Sequence, residues 1–213
     1  IHAVNLYQIN NDEKSLSALL KNAANQWVPS QLALVKKVLE NDSPRYRKEI
    51  FELFNLNIEN TRAEFNADVN ELKALYYRSW QQYPNEANKE LAIQYLNEAR
   101  EAEQAIAMTD WAILNLDKNQ ELARKQLELA AQKQEPTAHA KLGELYLYET
   151  SGFSRDESAA LKHLKAACNA KIITSCYQLG ILLSESYEIP RNVKTALKHF
   201  SFAAFKNRGA RSF

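Results

Sequence analysis

The run AHAKLGELYLYETSGFSRDESAALKHLKAACNA, residues 138–170, is followed by KIITSCYQLGILLSESYEIPRNVKTALKHFSFAA, residues 171–204, and the second restates the first. Leu142-Gly143 recurs 37 residues later as Leu179-Gly180, and Ala160-Leu161-Lys162-His163 recurs 36 residues later as Ala196-Leu197-Lys198-His199. A fixed period in the thirties, with apolar residues at helical spacing inside it, predicts stacked helical hairpins. Gly143 and Gly180 fall mid-helix, where glycine is less favourable than alanine by about 1 kcal/mol. Such a glycine is tolerated where a neighbouring helix comes close. Ala159, Ala160, Ala166, Ala167, Ala196, Ala203 and Ala204 supply small positions on the second helix of each pair. Leu142, Leu145, Tyr146, Leu164, Leu179, Leu182 and Phe200 fill the space between.

Outward from this stretch the same rhythm weakens. Pro136-Thr137 opens the first helix of the repeat, Asp156 is placed to cap its second, and Pro190 lies in the later loop. Earlier, Ala123, Leu127, Ala130 and Ala131 form one helix face, Ile106, Trp111 and Leu114 another, and Leu91, Tyr95, Leu96 and Ala99 a third. Before Pro84, a long helix from about residue 60 turns Phe65, Val69, Leu72, Leu75 and Tyr76 inward. Three shorter helices precede it, around Leu16–Ala23, Leu32–Leu39 and Tyr46–Phe54. The expectation is an all-α chain of about eleven helices, a right-handed α-solenoid of antiparallel hairpins. Residues 1–84 read as atypical hairpins of that solenoid and residues 85–213 as its regular repeats. Tyr76, Tyr77, Trp80 and Tyr83 read as core packing between the two halves.

Composition agrees with helix. Four glycines and five prolines in 213 residues are few for a turn-rich β protein. A net charge of +1 gives no global field for nucleic acid. The charge is uneven, however: residues 49–103 carry 11 acidic and 5 basic side chains, residues 138–213 carry 11 basic and 6 acidic. No apolar run reaches the roughly 18 residues needed to span a bilayer. The first residue is Ile1, which fits either a removed signal peptide or a trimmed product.

The pattern Ala-x-Leu-Gly-x-Leu-Tyr, a loop, Arg155-Asp156, then an alanine-rich helix ending Lys165-Ala166-Ala167 resembles the Sel-one-like repeat. That family is a tetratricopeptide relative with a longer loop inside each hairpin. The resemblance covers Ala138 to Ala204, reaches back to Ala123–Ala131, and is degenerate over residues 86–117. The loop Ser186-Tyr187-Glu188-Ile189 departs from the family in lacking glycine. The run from Lys165 to Gly180 is also similar to secreted, cysteine-rich bacterial proteins built from this repeat. The resemblance implies a disulfide between Cys168 and Cys176, and with it an oxidising compartment. The residues alone also allow two small buried thiols, since the equivalent slots hold His139 and Ala204.

No catalytic constellation stands out: there is no glycine-rich phosphate loop, nucleophile elbow or helix-borne His-Glu pair. His163 and His199 occupy equivalent repeat slots and two cysteines make no closed zinc site, so no metal or cofactor is expected. In tetratricopeptide-like stacking the first helix of each pair lines a concave groove. On that analogy the groove carries Thr137, Ala140, Glu144, Leu147 and Tyr148 from one unit. From the next it carries Thr174, Tyr177, Ile181, Ser184 and Glu185. The expected function is non-catalytic binding of another protein in this groove, in the periplasm or outside the cell. The finer roles are an immunity-type inhibitor of a secreted effector or an envelope scaffold. The alternatives are a β-lactam-binding or hydrolysing relative, and an intracellular, cytoplasmic adaptor.

Overall fold

The computed structural model describes residues 66–82, 84 and 88–209, and among them are eight helices and no strand. The three helices expected before residue 60, and Tyr83, lie outside the described residues. The chain packs as two compact units, Ile1–Ala107 and Met108–Phe213.

In the first unit α1 (Asn66–Gln82) packs against α2 (Lys89–Glu101). Their shared core holds Leu72, Leu75, Tyr76, Tyr77, Tyr95, Leu96 and Ala99, all buried. Tyr76 meets Tyr95 edge to face at 5.2 Å, the geometry aromatic pairs prefer. Burial, with Tyr95 beside it, pushes the Tyr76 hydroxyl up to about 12. Tyr76 is thus a core residue, as the helical spacing indicated, and Tyr77 is buried beside it.

Further along lie α3 (Ala105–Asn115), α4 (Gln120–Gln132), α5 (Pro136–Tyr148), α6 (Glu157–Asn169), α7 (Ile173–Glu185) and α8 (Val193–Gly209). Pro136 sits in the first turn of α5, and Asp156 caps α6 by accepting from the Ala159 N–H at 2.8 Å. Asn192 repeats that cap on α8, accepting from the Thr195 N–H at 3.0 Å. The inward face expected for α3 is corrected: Ala107, Met108, Ala112 and Leu116 are buried, whereas Leu114 is 46% exposed. The sequence AIAMTDWAILN is apolar on nearly every side, so its periodicity does not select a face.

Three helices end in the same turn. After α2, the Glu103 N–H bonds to the Arg100 carbonyl and the Gln104 N–H to Ala99. After α4, Gln134 bonds to Ala131 and Glu135 to Ala130. After α6, Lys171 bonds to Cys168 and Ile172 to Ala167, all six bonds spanning 2.8–3.1 Å. This is the Schellman pattern, which satisfies orphan carbonyls at a helix end and needs one left-handed residue. Glycine usually takes that place; here Glu103, Gln134 and Lys171 do, at φ 54, 63 and 67°. The anchor residues Ala99, Ala130 and Ala167 are 31 and then 37 residues apart. The earlier unit is shorter because residues 116–119 join α3 to α4 where residues 149–156 join α5 to α6, and because α3 is itself shorter than α5.

The core of the second unit runs through Leu147, Ala160, Leu164, Leu179, Leu182, Leu183 and Ala196. Gly143 and Gly180 are its points of closest approach. A methyl group at Gly143 would stand 2.7 Å from Leu164 Cγ and Cδ2 and 3.2 Å from the Leu164 backbone nitrogen. At Gly180 its three nearest atoms would all belong to the Phe200 ring, at 2.6–3.0 Å. Gly143→Ala is therefore expected to destabilise by about 1–2 kcal/mol, overpacking outweighing the helix gain. Gly180→Ala should cost less, because a half-buried ring can swing aside. Urea denaturation of the two variants measures the difference; equal or reversed losses would contradict the packing described.

Between α5 and α6, His139 and His163 face each other with their Nδ1 atoms 2.9 Å apart, and Tyr146 stacks on His163. One Nδ1 donates and the other accepts, which requires at least one neutral ring. Burial lowers both, with His139 and Lys162 adding to the effect on His163, which falls to about 4.

Candidate partner-binding groove

Cys168 in the last turn of α6 and Cys176 in the first turn of α7 are joined by a disulfide, their Cα atoms 4.7 Å apart. The Schellman turn at Ala167–Ile172 brings them together by folding α7 back against α6. Because α6 closes one hairpin and α7 opens the next, the bond ties adjacent repeats. It thereby fixes α7 relative to α5, and these two helices carry most of the residues expected in the groove.

Tyr148 and Tyr177 are 50% and 52% exposed, and Thr174 and Glu185 are exposed with them on α7. Leu147, Tyr148, Ile181 and Glu185 come together in a cleft of about 430 Å³, with Ser184, Ser186, Tyr187, Arg155 and Arg191 around it. Leu147 is itself only 5% exposed and serves as floor, being part of the core. Tyr148, Thr174 and Tyr177 line a second, more apolar cleft of about 790 Å³, backed by Phe200, Ala203 and Ala204 of α8. Tyr148 belongs to both. Thr137 and Glu144 line neither of these two clefts; Glu144 accepts from Lys141 at 3.2 Å.

The residues that shape the first cleft were not evident from the sequence. Glu157, the first residue of α6, is 1% exposed and stays ionised. Its carboxylate accepts from the Ser186 hydroxyl, from Arg155 Nη2 at 2.6 Å and from the Glu188 N–H at 3.2 Å. The Ser186 and Arg155 bonds hold its carboxyl down to about 2. Ser186 in turn accepts from the Ile189 N–H at 2.8 Å through its hydroxyl and from Arg191 Nε at 3.0 Å through its carbonyl. These bonds replace glycine in shaping residues 186–192. The equivalent loop after α5 keeps Gly152 at φ 76°, where a Cβ would stand 2.6 Å from Gln120 Oε1. There Phe153 is buried edge-on to Tyr146, with Arg124 over both rings. The one sequence signal for the Glu157 anchor was an acid in the first turn of α6, which the helix dipole alone explains. Its repeat equivalent is Val193, so periodicity concealed it.

Among the described residues no group of three or more His, Cys, Asp or Glu is placed to hold a metal ion. No helix there is long and apolar enough to cross a membrane.

A comparison with curated proteins returns no match. The Sel1 repeat family matches residues 81–103, 136–171 and 173–204. Among solved structures, the chain is similar to a protective antigen of uropathogenic Escherichia coli displaying an SLR fold. The TM-score is 0.65 at 21% identity, over 95% of this chain and 44% of that one. The chain thus spans less than half the length of that protein. A Sel1 repeat protein from Oxalobacter formigenes aligns with TM-score 0.49 and 21% identity, over 54% of this chain and 89% of that one. An immunity protein from Pseudomonas aeruginosa aligns with TM-score 0.48 and 15% identity, over 91% of this chain and 82% of that one. The family matches fall on α2, on the hairpin of α5 and α6, and on that of α7 and α8, so these helices carry Sel1 repeats, and the likeness to the protective antigen shows the SLR fold.

Proposed function

We propose that this chain is a non-catalytic binding protein of the bacterial envelope that holds another protein across the exposed side of α7 and the end of α5. One observation carries the reading: two disulfide-tied hairpins present Tyr148 and Tyr177 at two adjoining clefts. Tyrosines of this kind offer large contact area at little entropic cost and are frequent interface anchors. The disulfide supports an oxidising compartment, and the Sel1 solenoid is a protein-interaction fold. In its finer form the proposal is an immunity-type inhibitor that occludes a secreted effector. The acidic stretch of residues 49–103 suits a cationic effector.

A photo-crosslinking amino acid at Thr174 tests the surface, with the same group at exposed Lys165 on α6 as control. The expected result in the source cell is one dominant adduct from position 174 and little from 165. Adducts from 165 alone would place the interface on the opposite side of the hairpins.

A further inference from the structure

Arg191 is an exposed arginine held at one nitrogen, with no ion pair among the described residues. Its Nε donates to the Ser186 carbonyl at 3.0 Å, and its guanidinium lies 5.5 Å from the centre of the Tyr187 ring. Ser186 is itself locked to the buried carboxylate of Glu157. The two terminal nitrogens of Arg191 meet no acceptor among the described residues, and the residue lines the 430 Å³ cleft. The second arginine there, Arg155, is already committed: its Nη2 donates to Glu157 at 2.6 Å, so those two charges offset each other. Exposed Glu185 also lines the cleft, and its carboxylate forms no ion pair within the described chain.

We propose that this cleft recognises a single carboxylate in an otherwise non-acidic segment of the protein partner, with an aliphatic neighbour seated on Leu147, Ile181 and Leu182. The inference deepens the groove reading above and rests on it. A guanidinium held at Nε presents its remaining N–H groups as a planar fork, which matches the two oxygens of a carboxylate. The bond to the carbonyl of buried Ser186 lowers the ordering cost that a free arginine would carry. Charge complementarity is favourable, since residues 138–213 carry five more basic than acidic side chains. Glu185 sets the limit: a second acid next to the first would face it across the cleft. Selectivity for an isolated acid follows, in contrast to an acidic run.

The test uses the full chain, oxidised, panned against a phage-displayed random dodecapeptide library. Enriched peptides are expected to carry one Asp or Glu beside Leu, Ile or Val. Their affinity, read by fluorescence polarisation, should fall about tenfold or more with Arg191→Gln, which keeps a donor for Ser186 but removes the charge. Arg191→Lys should fall between, keeping charge without the fork. Raising salt from about 50 to about 500 mM should weaken the native protein and leave Arg191→Gln nearly unchanged. Recovery of no binder, of binders without an acid, or equal affinity for Arg191→Gln would overturn the inference. Tyr148→Ala separates the two readings. If it weakens binding while Arg191→Gln does not, the groove stands and the carboxylate site falls. If neither variant weakens binding, both fall.

Discussion

Removing the Cys168–Cys176 bond is expected to destabilise residues 108–213 by about 2–3 kcal/mol, the chain-entropy value for so short a loop. The bond closes residues 168–176 in the unfolded chain and ties α6 to α7 in the folded one. The variant of choice is Cys168→Ala/Cys176→Ala. Alanine occupies the equivalent slot at Ala204, whereas serine would bury a hydroxyl where Cys176 is fully enclosed. Urea midpoints of the native protein, of the double variant, and of the native protein in reductant should rank the first above the other two. Coincident midpoints in all three would show that the bond contributes nothing to stability. Two titratable thiols in the native protein would show that it does not form.

Acid should loosen the same unit in two stages. His139 and His163 both titrate below the ordinary histidine value of 6.5, His163 at about 4. The unfolded chain therefore takes up protons first, and this contribution is complete above pH 6.5 and lost as pH falls from 6.5 towards 4. The difference for His163 corresponds to about 3 kcal/mol; partial exposure and solvent screening reduce it to about 2 kcal/mol. Burial is the main cause for both rings, and for His163 the facing His139, with its Nδ1 2.9 Å away, adds to it, since two cationic rings cannot keep that contact. Lys162 adds to the repulsion, while Glu135 beside His139 and Glu128 beside His163 oppose it. Glu157 acts in the next window. Its carboxyl is held at about 2, so its contribution is present above the ordinary value of 4.5 and is lost as pH falls from 4.5 to about 2. Melting temperatures from pH 7.5 to 4 should fall in the native protein and fall less in His163→Phe, whose ring fits beneath Tyr146. An unchanged slope in His163→Phe would assign the acid response to other groups.

How far the sequence could be read follows from which signals repeat. Leu142-Gly143 and Leu179-Gly180 announced the hairpins because each glycine admits a large side chain from the second helix, Leu164 in one case and Phe200 in the other. Asp156 announced the start of α6 because a cap must supply an acceptor to a free N–H. The stretch from α3 to α4 was harder, since it is shorter than the later units and the Schellman turns before and after it use Glu103 and Gln134 where glycine would have flagged them. For α3 itself, an all-apolar surface left the inward face undetermined. At the candidate groove, of the residues named by the tetratricopeptide analogy, Leu147, Tyr148, Thr174, Tyr177, Ile181 and Glu185 line one or other of the two clefts, Leu147 as part of the core, whereas Thr137 and Glu144 line neither. What periodicity could not show was Glu157 binding a loop 29 residues further on through Ser186, because the pairing occurs once and leaves no repeat. Arg191 was hidden for the same reason. Its significance depends on Ser186, whose carbonyl holds it, and on the commitment of Arg155 to Glu157.

The exposed side of α7, with Tyr148 of α5, is the surface proposed to hold a partner. The most direct measurement is the affinity of the protein captured through position 174 for the native chain and for Tyr148→Ala/Tyr177→Ala. Both tyrosines are about half exposed, so truncating them leaves the core intact, and unchanged melting verifies it. The account predicts an affinity at least about tenfold weaker for the double variant, the scale of losing interface anchors. Equal affinity in a variant that melts like the native protein would contradict it.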